Sequence, residues 1–418
     1  MQLTTVTSGA LGVVCASLAH AHARSACSIA AEGLRPPGET VAGIDEAAPD
    51  DPLFPEQWSL SDFNGVSSGQ AIPDVRAFEF WNTLESLPDS TEADPIVIAV
   101  LDAGLDPDHP DLQGTVLPGR NFAGGAIDDV SDTVNSHGTA VAGLIAAPRN
   151  DGNGIAGLLP QAQIIPVRIV TSFGFSMESW AAEGLVWAVD EGADVVVMPL
   201  SFPTGGKAFR DAVLYAYDHG VVLVASTGND GSDSLGYPAA WPEVIAVGAS
   251  DREGDVPPFS VSGSGIDLVA PGVDLICPHS GSEGLGVHRV ETGTSFAAPL
   301  VAAAAGGILS VSPSFSPDAV RTILRETATD IGENGWDELS GAGRLDAAEA
   351  ISMAFRISTC PADQNLDGYL SGSDFNAWVS AFIQENPIAD VDHSGDLSST
   401  DFTVWLQSFL EGCDASAL

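Results

Sequence analysis

The stretch RVETGTSFAAPLVAAAAGGIL (Arg289 to Leu309) sets a polar turn against an apolar, Ala-rich run, with Ser295 at the junction. A serine there can cap the helix by accepting orphan amide hydrogens, and Pro299 is expected in the first turn, where proline is tolerated. It can equally be a nucleophile, held where free amides and the helix dipole face a developing negative charge. Choosing between the two requires a base, an orienting carboxylate and an oxyanion donor elsewhere. VLDAGLDPDHPDL places Asp102 just past an apolar run, where a carboxylate is costly unless hydrogen-bonded. NSHGTAVAGLIAA places His137 at the start of a small-residue helix, and VASTGND places Asn229 just past another apolar run. Each alone reads as a turn or cap residue. Together they are the parts required for acyl transfer: nucleophile, base, orienting acid and amide donor. Gly293 leaves room for backbone beside a substrate.

These residues need strands and helices to hold them. Ile96–Gly104, Gln163–Val170, Ala193–Leu200, Gly220–Thr227 and Val244–Ser250 are short, continuous apolar runs, the pattern of strands buried on both faces. Helix-like stretches, Gly138–Ala147, Met177–Glu191 and Ala208–His219, lie between them. Strands alternating with helices predict an α/β fold with a parallel sheet, whose chemistry sits at the carboxyl ends of its strands.

The chain has 418 residues, with 14 basic against 57 acidic side chains and a net charge of −43. Such a surface repels nucleic acid and anionic membranes, so neither is expected as a partner. The N-terminus resembles a signal peptide cleaved after Ala21 or Ala23 (residues 1–23), followed by a Pro-, Gly- and acid-rich short pro-segment or linker, 24–50. Export is therefore expected, with no transmembrane segment after the signal is removed. Cys360 and Cys413 bracket the C-terminal segment and are expected to form a disulfide, while the pairing of Cys27 with Cys277 is left open.

The order Asp, His, Asn, Ser in the motifs DAG, HGTAVAG, STGN and GTSFAAPLVA resembles the subtilisin-type serine proteases. The resemblance spans about Asp51 to Ile351 and includes FPEQWSL, NDGNGIAGLLP and GAGRLDAAEAI, giving an expected catalytic domain over 51–355. It implies a secreted or cell-surface, monomeric endopeptidase acting on protein or peptide substrates. Ser295 would be its nucleophile, His137 its base, Asp102 the orienting acid and Asn229 an oxyanion donor. It implies a substrate groove along Pro199, Leu200 and Ser201, faced by Gly174 and Phe175. It also implies calcium in the catalytic domain near Gln57, Asp111 and Asp151. The sequence departs from the family at Ala103, where Ser or Thr is usual, and at Pro199 and Ser201, where Ser and Gly are usual. Pro199 and Ala103 motivate a second reading, an impaired protease fold kept as a binding scaffold. Between Arg24 and Asp51 there are too few residues for the folded pro-domain of many secreted members, so none is expected there.

Residues 360 to 413 carry an internal repeat: Asp363, Asp374, Phe375, Trp378 and Phe382 recur 27 positions later as Asp390, Asp401, Phe402, Trp405 and Phe409. DQNLDGYLSGSD and DVDHSGDLSSTD share a calcium-loop pattern, with oxygen side chains at loop positions 1, 3, 5, 9 and 12. The Ca2+ ligands would be Asp363, Asn365, Asp367, Ser371 and Asp374 in one loop and Asp390, Asp392, Ser394, Ser398 and Asp401 in the other. Gly368 and Gly395 would make the turns, and Tyr369 and Asp396 would offer carbonyls. Asp at position 12, with one helix after each loop, resembles a dockerin. A small α-helical dockerin-like domain over 356–418 is expected, with a cohesin-like or cell-envelope partner.

Overall fold

The computed structural model describes residues 48–60, 74–87, 94–132, 134–280, 287–366 and 370–412, with the backbone of Val13–Cys15. Cys27, Cys413, Asp367, Gly368 and Tyr369 lie outside the described residues, as does nearly all of the expected signal peptide and pro-segment.

In chain order the strands are β1 (Val13–Cys15), β2 (Val97–Asp102), β3 (Arg120–Asn121), β4 (Gln163–Arg168), β5 (Phe175–Met177), β6 (Val195–Met198), β7 (Val222–Ser226), β8 (Val244–Ser250), β9 (Leu268–Pro271), β10 (Leu275–His279) and β11 (Val287–Glu291). The helices are α1 (Ala77–Ser86), α2 (His137–Ala146), α3 (Glu178–Asp190), α4 (Lys207–Asp218), α5 (Thr294–Val311), α6 (Pro317–Glu326), α7 (Ala347–Thr359), α8 (Gly372–Ile383) and α9 (Ser399–Glu411).

Seven strands form one sheet in the order β3-β4-β2-β6-β7-β8-β9, every neighbouring pair parallel. Side chains of a strand alternate between faces, and both faces are covered. Ile98, Val100, Val195, Val197, Val222 and Val224 meet α2 and α5 in one core, whereas Ala99, Leu101, Val196, Met198, Leu223 and Ala225 meet α3 and α4 in the other. This accounts for the unbroken apolar runs. Helix α5 threads the first core, with every residue from Thr294 to Leu309 buried. By length and composition α5 could cross a membrane, and its burial inside the protein explains that apolarity. Pro299 sits inside α5 in its second turn, not the first as the sequence suggested, leaving the Ser295 carbonyl without an i+4 amide partner.

From β2 the chain first moves to β3 and β4 on one side, then to β6 on the other. The carboxyl ends of β2 and β6 flank that switch point, where open α/β sheets form a crevice.

The C-terminal segment has its own small core, Ala362, Trp378, Ala389, Val391 and Trp405. The Trp378 and Trp405 rings are stacked at 6.0 Å. The expected boundary at 355/356 falls inside α7, whose Ile357 belongs to the main core. The tail rests on the main body: Phe315 meets the His393 ring edge-on at 5.1 Å, Asn386 Nδ2 donates to Glu326 Oε1 at 2.9 Å, and Leu366 and Ile388 pack on the main core.

Candidate active site

Three strand ends and two helix starts converge on a cavity of about 500 Å³. Asp102 ends β2, Pro199 to Ser201 follow β6, and Asn229 follows β7. His137 is the first residue of α2 and Ser295 the second of α5. All of them line that one cavity.

Asp102 is 5% exposed, and its carboxylate faces His137 Nδ1 at 2.7 Å and 2.9 Å. The Ala103 amide donates to Asp102 Oδ1 at 2.5 Å, so backbone anchors the carboxylate where the family's hydroxyl is missing. Phe296 covers the imidazole, its ring centroid 5.3 Å away. Burial alone would lower the His137 pKa, but Asp102, by charge and hydrogen bond, with Asp132 and Glu291, raises it above the ordinary value. With Nδ1–H given to Asp102, Nε2 is free to accept a proton.

Asn229 is held by its oxygen. Its Oδ1 accepts from the Thr294 amide at 2.9 Å and from Thr294 Oγ1 at 3.1 Å, while Thr294 Oγ1 accepts from the Gly228 amide at 3.2 Å. The Asn229 amide NH2 is thereby left to donate elsewhere. A Cβ at Gly293 would stand 3.3 Å from Asn229 Nδ2, so a side chain there would crowd the donor. Ser295, 8% exposed, donates its hydroxyl to the Pro199 carbonyl at 3.3 Å.

Of the expected substrate-binding residues, Pro199, Leu200 and Ser201 line the cavity, whereas Gly174 and Phe175 do not. Phe175 packs edge-on against Trp180 at 5.8 Å. Sequence reading missed Val134, Leu235 and Gly236 in the cavity wall, because they come from loops with no motif of their own, and Val170, because it only closes an apolar run. A Cβ at Gly236 would meet Ser201 Oγ at 2.1 Å, so the unusual Ser201 hydroxyl occupies that part of the cavity.

Two of the calcium ligands implied for the catalytic domain, Gln57 and Asp111, are tied to neighbouring residues of the loop that follows Asp151. Both ends of the Gln57 amide bond to the Ala156 backbone, at 2.8 Å each, and Asp111 Oδ2 is taken by His288 Nε2 at 2.7 Å and the Ile155 amide at 3.1 Å. Asp151 is exposed and turned to Asn153. Asp111 Oδ1, by contrast, is buried with no hydrogen-bond partner among the described residues. In the tail, one carboxylate oxygen each from Asp390, Asp392 and Asp401 lies within 4.8 Å of the others, an oxygen set suited to a hard cation. Burial, with Asp392 and Asp401 nearby, pushes the Asp390 carboxyl up to about 6. Asp363, Asp374, Asp390 and Asp401 are all buried. Ser371 with Asp374, and Ser398 with Asp401, form reciprocal capping boxes at the starts of α8 and α9. Cys360 is disulfide-bonded, while Cys277 is a buried free thiol whose pKa is raised first by burial, so the Cys27–Cys277 pairing is not formed.

The chain belongs to the subtilase family, whose sequence model matches residues 93–343. It is 39% identical over 243 residues to subtilisin E of Bacillus subtilis strain 168, covering 57% of this chain and 62% of that one. It is 38% identical over 243 residues to a subtilisin of Bacillus pumilus, covering 57% of this chain and 86% of the relative. Among solved structures, a protease of Pseudoalteromonas arctica PAMC 21717 superimposes with a TM-score of 0.64 at 28% identity, over 74% of this chain and all of that one. The match thus spans under two thirds of subtilisin E and stops short of the C-terminal repeat.

Proposed function

We propose that this protein is a secreted serine endopeptidase in which Ser295, His137, Asp102 and Asn229 cleave peptide bonds. The carrying observation is the Asp102–His137 contact at 2.7 Å in a cavity that also holds Ser295 and Asn229. An extended peptide adds as a strand along Pro199 to Ser201; Pro199 lacks an amide but keeps its carbonyl. Substrate competes for that carbonyl and frees the Ser295 hydroxyl, which gives its proton to His137 Nε2 as Oγ attacks the scissile carbon. The oxyanion receives the Ser295 amide and Asn229 Nδ2, and Asp102 stabilises the imidazolium. His137 then protonates the leaving amine, and a water repeats the sequence to release the acyl group. Ser295→Ala should abolish hydrolysis of casein and leave the circular dichroism spectrum unchanged; cleavage at the parent rate would end this reading. The alternative, an impaired scaffold, draws on the Ser295–Pro199 hydrogen bond, and the same assay separates the two.

The tail is read as a dockerin-like attachment module. Asp363, Asn365, Asp367, Ser371 and Asp374, and Asp390, Asp392, Ser394, Ser398 and Asp401, would hold Ca2+, with a Cys360–Cys413 bridge closing the ends. What supports this is the duplication and the carboxylate cluster, together with exposed Phe375 and Ile383 recurring as exposed Phe402 and Leu410. The partner would be cohesin-like or part of the cell envelope, retaining the protease at the surface. Removing the tail should shift protease from washed cells to the medium; equal retention would refute attachment.

A further inference from the structure

Helix α2 begins with no cap of its own. Ser136 has φ 59° and its hydroxyl donates to the Ser280 carbonyl at 3.0 Å, so it does not serve the first turn. That duty falls to Asp132, five residues before His137 in the sequence. Asp132 Oδ2 accepts from the Thr139 amide at 3.1 Å and from Thr139 Oγ1 at 2.9 Å, and Oδ1 accepts from the Val134 amide at 3.1 Å. Thr139 is fully buried, and its Oγ1 also accepts from the Asp106 amide at 3.0 Å. Asp106 lies on the turn that follows Asp102. Thr139 Oγ1 thus ties the helix carrying His137 to the turn leaving the strand that carries Asp102, and the Asp132 carboxylate fixes the direction of that hydroxyl.

We infer that Asp132 is a positioning residue for His137, fixing the start of α2 against the Asp102 turn and adding a second negative charge that favours the imidazolium. It rests on His137 acting as the base. Three carboxylates act on the imidazole by charge: Asp102 from β2, Asp132 from the loop before α2, and Glu291 from the end of β11, whose own charge Arg289 offsets. Asp102 touches the ring and dominates. Asp132 works through the helix start and through space, and Glu291 through space alone. Burial and the nearby Asp102 charge raise the Asp132 carboxyl to about 6, so it carries its charge only above that pH. In that range a developing imidazolium would feel both Asp102 and Asp132.

Asp132→Asn keeps an acceptor for the Thr139 amide but removes the charge. The imidazole pKa of His137, followed by NMR in the full chain, should fall by roughly half a pH unit, a fraction of what an adjoining opposite charge gives. The acidic limb of kcat/KM should fall with it, and Asp132→Glu should restore both. Asp132→Ala, which also removes the cap, should lower kcat about ten-fold with little change in KM, as a small misplacement of a catalytic group does. Should Asp132→Asn not fold, Asp132→Ser is a second neutral variant that can still cap. A folded neutral variant whose His137 titration and acidic limb both stay at parent values would overturn the inference, whatever its melting temperature. In the parent, an acidic limb that does not follow the His137 titration would instead remove the base assignment, and this inference with it.

Discussion

Asn229 shows how the site separates holding from catalysing. Its oxygen is fixed twice by Thr294, next to the nucleophile, so its NH2 has one direction left. In subtilisin, losing the oxyanion asparagine costs roughly 10² to 10³ in turnover, and Asn229→Ala should do the same here while KM changes little. Thr294→Val removes one of the two restraints and should lower kcat by a smaller factor; unchanged steady-state kinetics would mean that Thr294 does not orient the amide. The pH dependence follows from the sign of the His137 shift. Its pKa is raised and the base must be neutral, so activity should rise with pH through a value above the ordinary imidazole value of about 6.5. A rate profile with its acidic half-point below that would contradict the arrangement. These four residues were legible in the sequence because each stands beside a change of periodicity, at a strand end or helix start. Asp132 was not, since an acid in a polar loop carries no such signal and its partner, Thr139, is found only once α2 is in place.

At the scale of elements, the five apolar runs were readable as strands because both faces of a parallel sheet are covered. The short β3, the β10–β11 hairpin and β9 were not. Each is brief, and Leu268–Pro271 reads as a turn with a proline until its pairing with β8 is seen. Helix α5 depends on small residues for close approach. A Cβ at Gly307 would lie 2.3 Å from Phe80 Cζ on α1, so that ring could not keep its place. Gly307→Ala should therefore cost about 1–3 kcal/mol from overpacking, offset only in part by up to about 1 kcal/mol of helix propensity. A melting temperature at or above the parent's would show that Phe80 yields easily. Gly174 and Phe175 lie outside the cavity lining for a reason at this scale. The stretch does form a strand edge, but Phe175 turns to Trp180 and leaves the cavity to Val170 and Leu200.

The whole molecule joins an α/β body to a small tail that does not stand entirely apart. The duplicated loops and aromatic core of the tail were visible in the sequence, since a repeat at a fixed offset needs no tertiary information. Its seat on α6 and α7 was not, because His393, Asn386 and Ile388 are ordinary loop residues until Phe315 and Glu326 are opposite them. A chain ending after Thr359, which keeps all of α7, should retain peptidase activity, because Asp102, His137, Asn229 and Ser295 all precede that point. It should melt a few degrees lower, since Phe315 loses its cover. Chelation of calcium in the full chain should weaken the near-ultraviolet signal of Trp378 and Trp405, because the clustered carboxylates of the second loop repel when no cation bridges them. An unchanged spectrum would remove calcium from the tail.

The central claim is that Ser295 is a nucleophile activated by His137, rather than a helix cap. A fluorophosphonate probe reports this directly, because it bonds only to a serine with an active base and oxyanion site. Incubation with the full chain, followed by peptide mass spectrometry, should place the adduct on the peptide containing Ser295. The label should vanish in Ser295→Ala and fall sharply in His137→Ala. An unlabelled, folded parent chain would contradict the account and leave the binding-scaffold reading in its place.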